Sequence, residues 1–368
     1  MFQKIIILTV SLIVLLFGLF SIQSHSVAPT QDEYVETVAT TTNKQSIALE
    51  KNNLIIPKTE ATPPYTPYTS VSVPQSSASD PQPSALVDFE FINTKAREAT
   101  VNILCTTKGS DFSPISGTGM IINPDGLILT NAHVAQYFLL RDLYTKDFIT
   151  CVIRTGSPAY PRYYAELVYI SPVWIENNKA EIKEQNPLGS GERDYAFLRI
   201  TNKIDGATLP TFSHLSPNIR EEIERDEPVV LVSYPAGFLG GISIIQNLNI
   251  TSAITDIQNI YTFKENTVDV IAVGGTVVSQ KGASGGAVVD KNTTLIGIIS
   301  TSSSGNTTSS RDLNAITLAY INRTLQSETG FTLSEFMSKN MADYAKTFQE
   351  TKAPDLTRIL IDEITKNQ

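Results

Sequence analysis

The sequence predicts an all-β fold of two six-stranded antiparallel barrels, preceded by a long non-globular segment and followed by a helical tail. Three observations predict it. Short apolar, β-branched runs recur between turn-forming residues from residue 101 onward, which is the spacing of small barrels. The series is interrupted by a connector holding Pro210 and Pro217 and then starts again. From Thr332 the apolar spacing becomes helical, with Leu333, Phe336, Met337, Met341 and Tyr344, then Leu356, Ile359, Leu360 and Ile364.

Taken in chain order, Phe89 to Ala99 has helical spacing and predicts a short leading helix. Strands are expected over Val101–Cys105, Gly117–Ile122, Leu127–Thr130, Thr150–Arg154, Tyr164–Ile170 and Tyr195–Ile200. Asn123-Pro124-Asp125-Gly126 forms the hairpin turn between the second and third. A short helix, Val134–Leu140, follows the third strand, and the polar stretch from Glu176 to Gly191 reads as a surface insertion. The second set is Pro228–Ser233, Ile250–Thr255, Thr267–Val273, Gly286–Val289, Leu295–Ser300 and Ala315–Tyr320, with a turn at Asp290-Lys291-Asn292. The expected boundaries are 87–205 for the first barrel, 206–326 for the second and 327–368 for the tail.

Residues 23–86 are rich in Ser, Thr, Pro and Gln, as in Pro63-Pro64-Tyr65-Thr66-Pro67-Tyr68. Such a stretch buries too little apolar surface to offset the entropy of ordering and is expected to be a disordered stalk. Before it, Ile5 to Phe20 is an apolar run that Ser21 and Ile22 extend, so residues 1–22 are expected to form a membrane helix acting as an uncleaved anchor. Lys4 precedes the run and Asp32, Glu33 and Glu36 follow it, which places the N-terminus in the cytoplasm and the remainder outside. A cleaved signal peptide with a secreted product is the alternative; either way the body is exported.

The 368 residues carry a net charge of −9 with no basic cluster, which argues against non-specific nucleic-acid binding. Three histidines and two cysteines, without Cys-x-x-Cys or His-x-x-x-His, argue against a zinc site; no metal or cofactor is expected. His25 lies in the polar N-terminal region and His214 in a Pro-flanked loop, leaving His133 as the plausible base.

The chemistry is carried by three segments. Thr130-Asn131-Ala132-His133 comes first, Glu192-Arg193-Asp194-Tyr195 second, and Gly282-Ala283-Ser284-Gly285-Gly286 third. A serine hydroxyl needs an imidazole to take its proton and a carboxylate to fix the imidazole tautomer. A serine in a tight glycine turn exposes its hydroxyl while backbone N–H groups converge where an oxyanion would form. With His133 and Asp194 on the first barrel and Ser284 on the second, the three would meet in the cleft between them.

These segments resemble the trypsin-like serine proteases of the chymotrypsin double-barrel fold, nearest to the bacterial HtrA/Deg branch, over residues 90 to 325. Ser116-Gly117-Thr118-Gly119 with Ile128 to Val134 is similar to the family's general-base segment, Asp194 to Ile200 to its aspartate strand, and Gly282 to Gly286 with Leu295 to Ile298 to its nucleophile loop. The resemblance implies Greek-key barrels, protein or peptide substrates, Ser284 as nucleophile, His133 as general base and acid, Asp194 as orienting carboxylate, and the N–H groups of Gly282 and Ser284 as oxyanion hole. Ala283 and Ala287 depart from the family, which often has a polar residue and a proline there. The tail is too short and too helical for a PDZ domain, which most HtrA/Deg members carry, and oligomerisation is left open.

The resemblance also implies a primary specificity pocket with Val278 at its floor and Ser300, Thr301 and Ser302 along one wall, and hence cleavage after small or medium aliphatic residues. It sets the strands of Cys105 and Cys151 side by side, which implies a disulfide; two buried thiols are the alternative. A catalytically silent module that binds peptides or surface partners is the alternative function.

Overall fold

The computed structural model describes residues 87–108, 114–184, 190–237, 239–263, 266–302 and 313–366, all within the unit Asp80–Gln368. The expected membrane helix over 1–22 and the stalk over 23–86 lie outside the described residues. Among those described, no helix is long and apolar enough to cross a membrane.

Helix α1, Phe89–Ala99, starts where the Asp88 carboxylate accepts the Phe91 N–H at 2.9 Å, and it buries Ile92, Ala96 and Ala99 on one face. Six strands follow: β1 Thr100–Thr107, β2 Ile115–Ile121, β3 Leu127–Thr130, β4 Ile149–Thr155, β5 Tyr160–Ile170 and β6 Ala196–Lys203. They close into a barrel in the order β1-β2-β3-β6-β5-β4. The turn between β2 and β3 forms as the sequence predicts. Asn123 Oδ1 accepts the N–H of Leu127 at 2.8 Å, and Gly126 takes φ +84°, a conformation glycine adopts without a steric penalty. Cys105 and Cys151 face each other in the β1–β4 register and are joined by a disulfide.

The second set is β7 Pro228–Ser233, β8 Thr251–Asp256, β9 Asn259–Tyr261, β10 Val270–Ala272, β11 Ala287–Val289, β12 Leu295–Ser302 and β13 Leu313–Thr317. Here the expectation of a second closed six-stranded barrel is corrected. The sheet has seven strands in the order β8-β7-β11-β12-β13-β10-β9 and stays open, a curled half-barrel. The cyclic order of the first barrel is retained, but the ring is cut between its second and third members. The three-residue β9 pairs with the outer edge of β10, Tyr261 opposite Val270, and so occupies the edge that closure would use.

Two further expectations shift. The run Ala315–Tyr320 is not one strand: beyond the short helices α2 Ala132–Ala135, α3 Pro172–Asn178 and α4 Gly241–Gln246, the Thr317 hydroxyl accepts the Tyr320 N–H at 3.1 Å and caps a helix, α5, over Leu318–Thr329. The stretch from Glu176 is not merely a surface insertion. It continues a helix, Pro172–Asn178, capped by Ser171 and anchored by buried Trp174 and Ile175, and a 3-10 turn, Lys179–Lys183, anchored by buried Ile182.

The tail is helical as expected, with α6 Leu333–Met337, α7 Met341–Thr351 and α8 Ala353–Thr365. A capping box between Thr332 and Glu335 starts α6. Phe336, Phe348, Leu356 and Leu360 join the apolar core of the first barrel, the Phe336 ring lying 4.8 Å from that of Phe197. Gln349 Nε2 donates to the Leu167 carbonyl of β5 at 2.9 Å. The chain thus returns from its second sheet to cover its first.

Candidate active site

His133 lies in the helical turn Ala132–Ala135 directly after β3, and Asp194 stands just before β6; these strands are hydrogen-bonded neighbours, with Thr130 opposite Ala196. The register therefore brings the two residues together. Asp194 is 3% exposed, and the Oδ2 of its carboxylate is 2.8 Å from His133 Nδ1. Its other oxygen accepts the His133 backbone N–H at 3.0 Å, and Asn131 Nδ2 donates to the Asp194 carbonyl at 2.8 Å. An ionised carboxylate only accepts, so Nδ1 carries the proton and Nε2 keeps its lone pair. Burial alone lowers the imidazole pKa. The charge and hydrogen bond of Asp194, with the charge of Glu181, outweigh burial and hold it above 6.5.

Ser284 comes from the other sheet. Its loop runs from the end of β10 to β11 and is tied to the first barrel at β2: the Thr118 N–H donates to the Ser284 carbonyl at 2.8 Å. Two glycines permit this approach. Gly285 takes φ +83°, and a Cβ there would sit 2.0 Å from the Thr118 carbonyl oxygen. Gly282 takes φ +88°, and a Cβ there would sit 2.7 Å from the Tyr234 carbonyl oxygen. Within the loop the N–H groups of Ala283, Gly285 and Gly286 are bound at 3.1, 2.8 and 2.8 Å. Among the described residues, those of Gly282 and Ser284 donate to no protein group.

Residues 117–298 match the family model of the trypsin-like peptidase domain. This stretch is a trypsin-like peptidase domain. Among solved structures the chain is similar to the HtrA-type protease AlgW, in variant form with a tripeptide, at 19% identity and a TM-score of 0.40. That likeness covers 65% of this chain and 63% of the other. A search of the curated proteins finds no match.

The site holds residues that the sequence did not single out for these parts. Ser300, expected on a pocket wall, is buried with its hydroxyl donating to Asp194 Oδ2 at 2.8 Å. Glu181, within the supposed insertion, lies in the electrostatic field of both His133 and Asp194; burial first, then Asp194, raises its own pKa. Arg193 holds φ +57° beside Asp194, with its N–H donating to Tyr320 Oη at 3.0 Å and its guanidinium paired with Glu328, both on α5. Tyr169 and Ser171 also donate to Glu328. A carboxylate 134 residues downstream in the chain thereby steadies the turn that carries Asp194. Distance along the chain hid that role.

Of the other expected site residues, Val278 is fully buried in the apolar core of the second sheet with Val229, Leu231 and Val288. Thr301 and Ser302 end β12, paired with Asn314 and Leu313. His214 is bonded elsewhere, its Nδ1 lying 3.2 Å from the Phe212 carbonyl oxygen. His25 lies outside the described residues.

Proposed function

We propose that the chain is an endopeptidase that works through an acyl-enzyme on Ser284 and acts outside the membrane on protein or peptide substrates. The observation that carries this is the His133–Asp194 pair: a buried carboxylate 2.8 Å from Nδ1 leaves Nε2 as the base. In the reaction, Ser284 Oγ attacks the scissile carbonyl and gives its proton to Nε2. The developing oxyanion is met by the N–H groups of Gly282 and Ser284, which have no other protein partner among the described residues. The C–N bond then breaks as His133 returns the proton to the leaving amine. Water, activated by the same imidazole, releases the acyl group and restores the hydroxyl. Among the described residues the Ser284 hydroxyl has no hydrogen-bond partner, so its bond to His133 forms with substrate, as is common for catalytic contacts seen without ligand.

The apolar run over Ile5–Ile22 is the anchor in this reading, and the charge asymmetry around it supports an extracytoplasmic peptidase. Hydrolysis of fluorescent casein by the full chain tests the proposal. Wild-type protein is expected to cleave it, to be silenced by a serine-directed sulfonyl fluoride, and to lose roughly four orders of magnitude or more as Ser284→Ala or His133→Ala. Wild-type protein with no turnover beyond Ser284→Ala would instead favour a peptide-binding module.

A further inference from the structure

We propose that Thr118 on β2 is a positioning residue of the oxyanion site, through which the first barrel aims the N–H groups of Gly282 and Ser284 on the second. This rests on the reading of Ser284 as the nucleophile. Thr118 is fully buried, so its polar atoms must be satisfied within the protein. Four of its bonds run to segments that build the site. Its hydroxyl donates to the Gly282 carbonyl at 2.7 Å and accepts the Tyr234 N–H at 3.0 Å. Its N–H donates to the Ser284 carbonyl at 2.8 Å, and its own carbonyl accepts the hydroxyl of Thr130, three residues before His133, at 2.7 Å.

The N–H of a residue lies in the peptide plane before it, and that plane turns against the plane after it through the φ and ψ of the residue, so holding both fixes its direction. The plane before Gly282 is fixed where the Ala236 N–H donates to the Lys281 carbonyl at 2.6 Å. The plane after it is fixed by the Thr118 hydroxyl. Gly282 holds φ +88°, and glycine alone among the residues crosses between such basins at little cost, so two external anchors are needed to keep it there. At Ser284, the plane before is closed by the Gly286 N–H on the Ala283 carbonyl, and the plane after by the Thr118 N–H on the Ser284 carbonyl. Thr118 therefore grips one plane beside each of the two residues whose N–H groups are unengaged. Without its hydroxyl, the Gly282 carbonyl and the buried Tyr234 N–H would both lack a partner, and the plane after Gly282 would be free to turn.

The test compares the full chain as wild type, Thr118→Ser, which keeps the hydroxyl, and Thr118→Val, which is isosteric without it. The probes are an internally quenched peptide with valine at the scissile position and a peptidyl boronate, whose tetrahedral adduct places an oxygen at the oxyanion site. Removing an oxyanion donor outright costs about 10²–10³ in kcat, so loss of its alignment is expected to cost about 10- to 100-fold. Thr118→Val should show that fall in kcat and a matching loss of boronate affinity. KM and the midpoint of the kcat/KM pH profile should stay as in wild type, and Thr118→Ser should stay close to wild type. A kcat for Thr118→Val equal to wild type, or equal damage in the serine and valine variants, would overturn the proposal. If Thr118→Val does not fold, Thr118→Ala takes its place; failure of both to fold would also overturn it, because the hydroxyl would then be holding the fold and not the site. Failure of the underlying reading is seen separately, as wild type no more active than Ser284→Ala, and would remove the proposal with it.

Discussion

His133 is set between two carboxylates of different kinds. Asp194 is hydrogen-bonded to it and buried, whereas Glu181 acts through space from a 3-10 turn. Both raise the imidazole pKa against the opposing effect of burial. The general base must be neutral in the free enzyme, so kcat/KM is expected to rise with pH through an apparent pKa above 6.5. Glu181→Gln removes one of the raising charges, and the acidic limb of the profile should move to lower pH. The check is kcat/KM against pH for the two proteins. A limb that stays in place or moves up would show that Glu181 does not act on the base. The candidate residues His133, Asp194 and Ser284 were legible because each sits in a short local motif. Glu181 and Glu328 carry no such motif, and the segment Ser116–Gly119 that holds Thr118 does not show its partners; all three act across the fold, and chain order says nothing of whom they meet.

At the scale of elements, the β-strands of the first barrel were legible from short apolar runs at regular intervals and the Asn123–Gly126 turn. The second sheet was less so. β9 has three residues, too few for a period to register, and a single threonine, Thr317, decides where β13 becomes α5. The helicity of the tail was plain in its spacing, but its destination was not, since an apolar helix face does not name the surface it covers. Phe336 is fully buried between Phe197 and Tyr344. Phe336→Ala is expected to cost about 3–5 kcal/mol, measured by urea unfolding. A loss below 1 kcal/mol would mean that the tail does not stay docked. The disulfide between Cys105 and Cys151 spans a separation of 46 residues. Chain entropy alone would make a loop of that size worth about 4 kcal/mol. Replacing both cysteines by alanine should lower the unfolding free energy by about 2–5 kcal/mol. An unchanged midpoint, with two free thiols titrating in unreduced wild type, would exclude the bond.

At the scale of the whole molecule, the proposed reaction divides the work between two sheets of one cyclic strand order: the first would supply base and carboxylate, the second the nucleophile. The proposed substrate preference rests on the second sheet. Val278, six residues before Ser284, lies within an apolar core, and neither it nor the neighbouring Val277 and Ser279 brings a carboxylate. A buried lysine ammonium with no partner would meet a severe desolvation cost there. Cleavage after valine, alanine or isoleucine is therefore expected in a peptide-library profile, with discrimination of about 1–3 kcal/mol per methylene. A profile dominated by arginine, lysine or phenylalanine would show that the pocket is built from other residues.

The central claim is that Ser284 is a nucleophile activated by His133. Mass spectrometry of the full chain after treatment with a fluorophosphonate tests it most directly, because the reagent marks a serine only where base and oxyanion site work together. The account predicts one adduct per chain, on Ser284, with labelling abolished in Ser284→Ala and slowed by orders of magnitude in His133→Ala. An unlabelled wild-type chain, or an adduct on another residue that persists in Ser284→Ala, would contradict it.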